Sequence, residues 1–241
     1  MTTFPYCGAP PLPGALAGRF NLDPVLLVAL ALSAGVHLVF LRRSRRPVTA
    51  AACGWAVTAA ALVSPLCALS VSLFSARVAQ HMVLLLVAAP LVASALPRAR
   101  GALAAAAAFT LALWVWHLPA PYAASFASDA LYWGMHLTLF GSALWLWAAL
   151  LHARAEQAGR ALLAGVTASI GMGLLGAVLA LAPAPLFAPH LLTTAAWGVM
   201  PLADQQLGGL LMWVPGLFLF LAVGLRAVAA LVRPAGRAQR A

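Results

Sequence analysis

Charge is scarce in this sequence, and lysine is absent from it. Only 7% of the 241 residues are charged, whereas 64% are hydrophobic. The acidic residues are Asp23, Asp129, Glu156 and Asp204. A soluble domain carries about 25% charged residues to cover its surface. A long chain with so little charge is therefore expected to use lipid as its solvent.

Other features are also lacking, and each absence excludes a class of protein. Three cysteines, Cys7, Cys53 and Cys67, do not make a disulfide framework. Residues 1–22 are rich in proline and glycine and lack a basic start, so no cleavable signal peptide is expected. No GxSxG elbow, HExxH pair or phosphate-binding loop occurs, so we do not expect an enzyme.

Apolar runs long enough to span a bilayer, about 20 residues each, occur seven times. They cover residues 24–41, 48–72, 79–97, 102–118, 130–151, 161–183 and 206–231. We therefore predict an all-α polytopic membrane helix bundle that forms one integral domain over residues 1–241. Glycines in the sixth and seventh runs predict close helix packing, because small residues let backbones approach.

The arginines indicate the orientation of the chain. Twelve of the fourteen fall in alternate loops, at the inner end of the last run or in the tail, and the exceptions are Arg19 and Arg77. This asymmetry is the positive-inside pattern and not a nucleic-acid footprint. We expect an outer amino-terminal segment over residues 1–23 and a basic cytoplasmic tail over 232–241. The loops at 73–78, 119–129 and 184–205 would then face outward.

Histidines from three predicted spans reach one depth near the outer face. His81 lies near the outer start of the third span, His117 at the outer end of the fourth, and His136 about two turns into the fifth. Asp204 opens the last span from the same side, whereas His37 and His152 lie near the inner ends. Polar groups inside a membrane are costly, so a shared depth suggests a shared role.

Sulfur-containing side chains accompany these histidines. Met82 and Met135 are their sequence neighbours, Met212 lies about two turns below Asp204, and Cys67 is near the outer end of the second span. Imidazole and thioether groups together suit Cu(I). The candidate metal ligands are therefore His81, His117, His136, Met82, Met135, Asp204, Met212 and Cys67.

Structural explanations compete with this interpretation. A membrane histidine commonly bonds a neighbouring helix, and methionine is often a core filler. Asp204 is equally suited to cap the start of its own helix. Cys67 suits a small buried apolar position, and His190, in a loop, is expected to be solvated.

Three segments resemble the CtaG-type cytochrome c oxidase assembly factors of bacteria. They are residues 64–91 (containing QHM), 116–147 (opening with WHLP) and 201–216 (containing DQQLGGLLMW). The resemblance implies a multi-pass protein of the bacterial cytoplasmic membrane that helps to mature haem–copper oxidases, with oxidase subunits and copper chaperones as partners and copper as the metal. His81, His117, His136, Asp204 and Met212 match the motifs of the family. Many members have further histidine or acidic residues where this chain has Arg77 or Val78, Tyr132 and Met135.

Two other functions fit the same pattern. Haem could be held between His81 and His136 in a membrane redox protein. A transporter is the other alternative, although transporters tend to place polar residues at the bilayer midplane.

Overall fold

The computed structural model describes residues 5–232, which form helices and loops with no strand among them. The helices are α1 (Pro24–Arg43), α2 (Thr49–Val63), α3 (Pro65–Ser72), α4 (Phe74–Met82), α5 (Ala89–Ala93), α6 (Ala102–Trp116), α7 (Pro119–Ala127), α8 (Asp129–Leu151), α9 (Ala158–Leu181) and α10 (Pro201–Val232). A π-helical segment, Val83–Ala88, makes α4 and α5 one continuous rod. The predicted tail over 232–241 falls almost wholly outside the described residues.

Five helical rods are long and apolar enough to cross a membrane, and two bent helix pairs raise the number to seven. The α2–α3 pair bends by 49° and the α6–α7 pair by 74°. Each second helix begins with a proline, Pro65 or Pro119, which cannot continue the preceding hydrogen-bond ladder. The multi-pass all-helical fold is confirmed, but the predicted run 48–72 is two helices.

The third crossing starts earlier than its apolar run indicated. It spans Phe74–Ala93, whereas we predicted residues 79–97 and placed 73–78 in a loop. Ser75 and Arg77, which we had placed in that loop, are inside the helix and buried. Hydropathy alone excludes such residues from a span, so the early start was missed.

Contacts between the loops define two ends of the bundle. One end brings together Arg46, Arg98, Arg100 and Arg160 around shared crevices, and we call it the arginine end. The opposite end holds residues 5–23, α3, α7 and the loop of residues 182–200, which contact one another, and we call it the histidine end.

Glycines allow close packing of α9 against α10 near the histidine end. A Cβ atom on Gly209 would lie 2.6 Å from the Gly176 oxygen and the Ala180 nitrogen, and one on Gly176 would lie 2.8 Å from the Gly209 oxygen. These neighbours are backbone atoms and cannot move aside. The predicted role of these glycines in close packing is confirmed.

Candidate metal site

Three imidazoles meet in the interior of the histidine end. His81 comes from α4, His117 directly follows α6, and His136 comes from α8. The ring centroids of His81 and His117 are 5.8 Å apart, and those of His81 and His136 are 5.3 Å apart. All three side chains are at most 4% exposed. The structure thus brings together the three histidines that the sequence placed at one depth, and we call them the histidine cluster.

Backbone carbonyls fix the proton on two of these rings. Nδ1 of His117 donates to the Leu113 oxygen at 2.7 Å, and Nδ1 of His136 donates to the Tyr132 oxygen at 3.0 Å. Because a carbonyl oxygen can only accept, each Nδ1 carries the proton and each neutral ring keeps a lone pair on Nε2. This is the arrangement by which a backbone carbonyl orients a metal-binding histidine.

The remaining ring nitrogens of the cluster are buried and have no partner in the described part of the chain. They are Nε2 of His117, Nε2 of His136 and both nitrogens of His81. Buried polar atoms are normally satisfied, so four unpaired nitrogens at one place need an explanation. Imidazole nitrogens are good ligands for copper, and the donor set therefore fits that metal.

The cluster is not already arranged around an ion. Within residues 5–232, no group of three or more His, Cys, Asp or Glu side chains stands in a metal-binding arrangement. The His81 ring is instead in edge-to-face contact with the other two, at interplanar angles of 85° and 75°. Binding one ion would require these rings to rotate. A porphyrin between His81 and His136 would likewise require these rings to move apart.

The predicted methionine ligands are all buried. Met82, Met135 and Met212 belong to the same core cluster of apolar side chains as Leu113 and Leu139. Burial fits both a thioether ligand and a core filler, so their role as ligands stays a prediction.

Asp204 caps a helix, but not the helix to which it belongs. Its carboxylate accepts from the Phe74 nitrogen at 2.6 Å, from the Ser75 nitrogen at 3.2 Å and from the Ser75 hydroxyl. It therefore satisfies the first amide groups of α4 from the adjacent helix α10, since Leu73, the N-cap of α4, makes no side-chain bond there. His81 is about 9 Å further along that helix, at 1.5 Å per residue. Asp204 thus holds the helix that carries His81.

Cys67 is bonded to Cys7, which corrects two expectations. The disulfide joins the segment before α1 to α3. We expected no disulfide framework, and we included Cys67 among the metal ligands. The sulfur of a disulfide carries no thiolate charge, so the oxidised Cys67 does not offer a thiolate ligand to a metal. The sequence did contain a signal, because both cysteines were placed at the same predicted face.

Arg77 is a feature of the site that the sequence did not reveal. Its side chain is 2% exposed, and the guanidinium carbon lies 4.2 Å from the Phe126 ring centroid and 5.3 Å from that of Tyr122. One terminal nitrogen donates to the Ser125 hydroxyl at 3.4 Å. Aromatic faces stabilise a cation, which explains how this charge is accommodated in the interior.

The loop of residues 182–200 covers the histidine end. Phe187 stacks on Phe74 with ring centroids 4.2 Å apart, and Nε2 of His190 is hydrogen-bonded to the Tyr122 hydroxyl at 2.6 Å. His190 is 2% exposed, so the expectation of a solvated loop histidine was wrong. Burial, reinforced by the nearby charge of Arg77, lowers the pKa of His190 to about 3. The loop therefore closes over the site with a neutral imidazole.

Cavity size does not identify the site. A crevice of about 410 Å³ lies at the arginine end, between Arg98, Arg100 and Arg160. A smaller, largely apolar cavity of about 160 Å³ between α1, α2 and α8 reaches His136. The unpaired ring nitrogens mark the site, because each neutral ring can offer one nitrogen to a metal.

Comparison with known protein families matches residues 35–106 and 99–233 to a family described as cytochrome c oxidase caa3 assembly factor. The match covers most of the chain. This protein belongs to that family. No curated protein and no solved structure matches the chain.

The matched residues of this caa3 assembly factor include the whole histidine cluster and Asp204, while Cys7 lies before them. The resemblance that three sequence segments suggested is thus confirmed. A role in oxidase assembly is favoured over the haem-binding and transporter alternatives. The assembly-factor family gives no reason to expect an enzyme.

Proposed function

We propose that this assembly factor binds Cu(I) in the histidine cluster and hands it to a haem–copper oxidase during assembly. The observation that carries the proposal is the set of four unpaired ring nitrogens on His81, His117 and His136. Three helices bring these groups together, and two of the rings are oriented by backbone carbonyls. An arrangement that only packed the helices would have no need to leave these nitrogens unsatisfied.

Neutral imidazoles suit a cargo that must be released. Cu(I) binds few ligands, prefers soft or borderline donors and adds only a single positive charge to a buried site. Met82, Met135 and Met212 would supply thioether sulfur where the cluster needs a further donor. Asp204 would act at a distance, by holding α4 in place.

The distribution of arginines supports an orientation with the histidine end outside. Twelve of fourteen arginines belong to the opposite end or to the tail, as expected for the cytoplasmic side. We place the protein in the bacterial cytoplasmic membrane, with oxidase subunits as acceptors and copper chaperones as donors at its outer face.

The direct test is a Cu(I) titration of the purified full-length protein against a chromophoric Cu(I) chelator. The disulfide-bonded protein is expected to bind roughly one Cu(I), and the double change His81→Ala with His136→Ala is expected to abolish binding. His152→Ala is the matched control, because His152 bonds the Ala93 oxygen at the arginine end. Unchanged copper stoichiometry in the double variant would refute the proposal.

A cellular test separates copper handling from a purely structural role. Deletion of the gene is expected to lower oxidase activity, with partial recovery when copper is added to the medium. The His152→Ala gene should restore activity, and the double histidine variant should not. Normal oxidase assembly in the deletion strain without added copper would contradict the role in assembly itself.

A further inference from the structure

The histidine cluster is enclosed on the side where Cys7 and Cys67 are joined. Tyr6 stacks on Tyr132 with ring centroids 4.7 Å apart, and Tyr132 packs on His136 at 4.3 Å. Tyr6, next to Cys7, therefore lies behind the ring that packs on His136. The disulfide attaches this segment covalently to α3.

Polar groups surround both sulfur atoms of this pair. The Tyr132 hydroxyl oxygen is 3.4 Å from Cys7 Sγ and 3.7 Å from Cys67 Sγ. The side-chain amide of Asn21 donates to Cys67 Sγ at 3.5 Å. A disulfide needs no hydrogen-bond donors, whereas a thiolate is stabilised by them. The surroundings thus suit the reduced pair as well as the oxidised one.

We propose that Cys7 and Cys67 are a redox-controlled Cu(I) uptake site: reduced, they bind Cu(I) one aromatic ring away from the histidine cluster, and oxidised, they bind none. The inference deepens the proposed function and rests on it, since the ion would pass beside Tyr132 to His136. Two thiolates are a preferred ligand pair for Cu(I). This would be a second metal site, separate from the imidazoles.

Reduction of the Cys7–Cys67 disulfide requires an external dithiol protein, which supplies the two electrons. Its thiolate attacks Cys7 Sγ, which is half-buried, and Cys67, which is fully buried, leaves as the thiolate. The second thiol of the reductant then resolves the mixed disulfide, so that the reductant is oxidised to a disulfide and two electrons and two protons arrive on the cysteine pair. Binding of Cu(I) displaces the two protons. An external protein disulfide can oxidise the empty pair again: it accepts the two electrons and two protons, is reduced to a dithiol, and leaves Cys7 and Cys67 as the disulfide that binds no Cu(I).

The test compares disulfide-bonded and reduced protein in a Cys53→Ser background, which removes the exposed free cysteine. The full-length protein is reduced with a phosphine, freed of it, and titrated with Cu(I) held by a chromophoric chelator. Reduction is expected to raise the bound Cu(I) by about one equivalent per chain. Adding Cys7→Ser and Cys67→Ser should remove this increment, and so should alkylation of the reduced thiols if that variant misfolds.

The outcomes separate this inference from the proposed function. If the increment in bound Cu(I) persists in the double variant His81→Ala with His136→Ala, the extra copper is bound by the cysteines. This holds whether or not the disulfide-bonded protein binds copper. Equal binding by reduced and oxidised protein would overturn the inference. So would an increment that survives the loss of both cysteines.

Discussion

The two ends of the bundle differ in where their polar groups lie. At the arginine end, Arg42, Arg100 and Arg160 are exposed, and crevices of about 410 and 320 Å³ open between the loops. At the histidine end, the polar and charged side chains that line the site or its cover are buried. They are Ser75, Arg77, His81, His117, His136, His190 and Asp204. Exposed charge can set the orientation of a membrane protein, but buried charge must be held by specific partners. The following changes test this difference.

The largest effect is expected from Asp204→Ala. The change removes the carboxylate that satisfies the first amides of α4 and leaves those groups buried and unpaired. We expect a loss of about 3 kcal/mol of stability, seen as a lower midpoint of thermal unfolding in detergent. Asp129→Ala is the control, because Asp129 is exposed in the first turn of α8. Equal midpoints for the two variants would contradict the capping role.

Tight packing of α9 and α10 near the histidine end predicts the next effect. Gly209→Ala forces a Cβ atom against the backbone of α9, so we expect a loss of about 2 kcal/mol. Gly165→Ala is the matched control in the other half of this interface. There an added Cβ meets none of the described residues within 4 Å, and a cavity of about 260 Å³ opens. Thermal unfolding of both variants checks the contrast, and a stable Gly209→Ala protein would disprove it.

A pH effect of about 1 kcal/mol is expected from His190. Its folded pKa of about 3 is below the value of about 6.5 in the unfolded chain. Between these values the unfolded chain binds a proton that the folded chain does not, so stability falls as the pH drops from 6.5. The unfolding midpoint of the wild type should therefore fall more between pH 7.5 and 5.5 than that of His190→Gln. Parallel shifts in the two proteins would show that His190 does not contribute.

The smallest effect is expected at the arginine end. Arg100→Gln changes an exposed side chain, so its stability should stay within about 0.5 kcal/mol of the wild type. Its Cu(I) titration should also match the wild type. A clear loss of copper binding would mean that the arginine end contributes to the copper site, contrary to our placing of that site at the histidine end alone.

The sequence predicted the features that depend on local composition. Apolar runs identify the crossings because a helix needs about 20 apolar residues to span the bilayer. The common depth of His81, His117 and His136 follows from counting turns along antiparallel helices. The structure places the His81 ring against the other two, as this common depth indicated.

Features that depend on distant partners were missed. Arg77 was assigned to a loop, because the aromatic faces that stabilise it come from α7 and α8. A capping role for Asp204 was weighed only at its own helix, whereas its carboxylate caps α4, 130 residues earlier. His190 is buried by packing of a loop, which hydropathy does not report. The Cys7–Cys67 disulfide could have been predicted, because the sequence placed both cysteines at one face of the membrane.

X-ray absorption at the copper edge of the Cu(I)-loaded, disulfide-bonded protein tests the central claim most directly. We predict multiple-scattering features from at least two imidazoles, which His81→Ala with His136→Ala should remove while His152→Ala leaves them unchanged. Copper that shows no imidazole scattering, or the same spectrum in the double variant, would contradict a copper site in the histidine cluster.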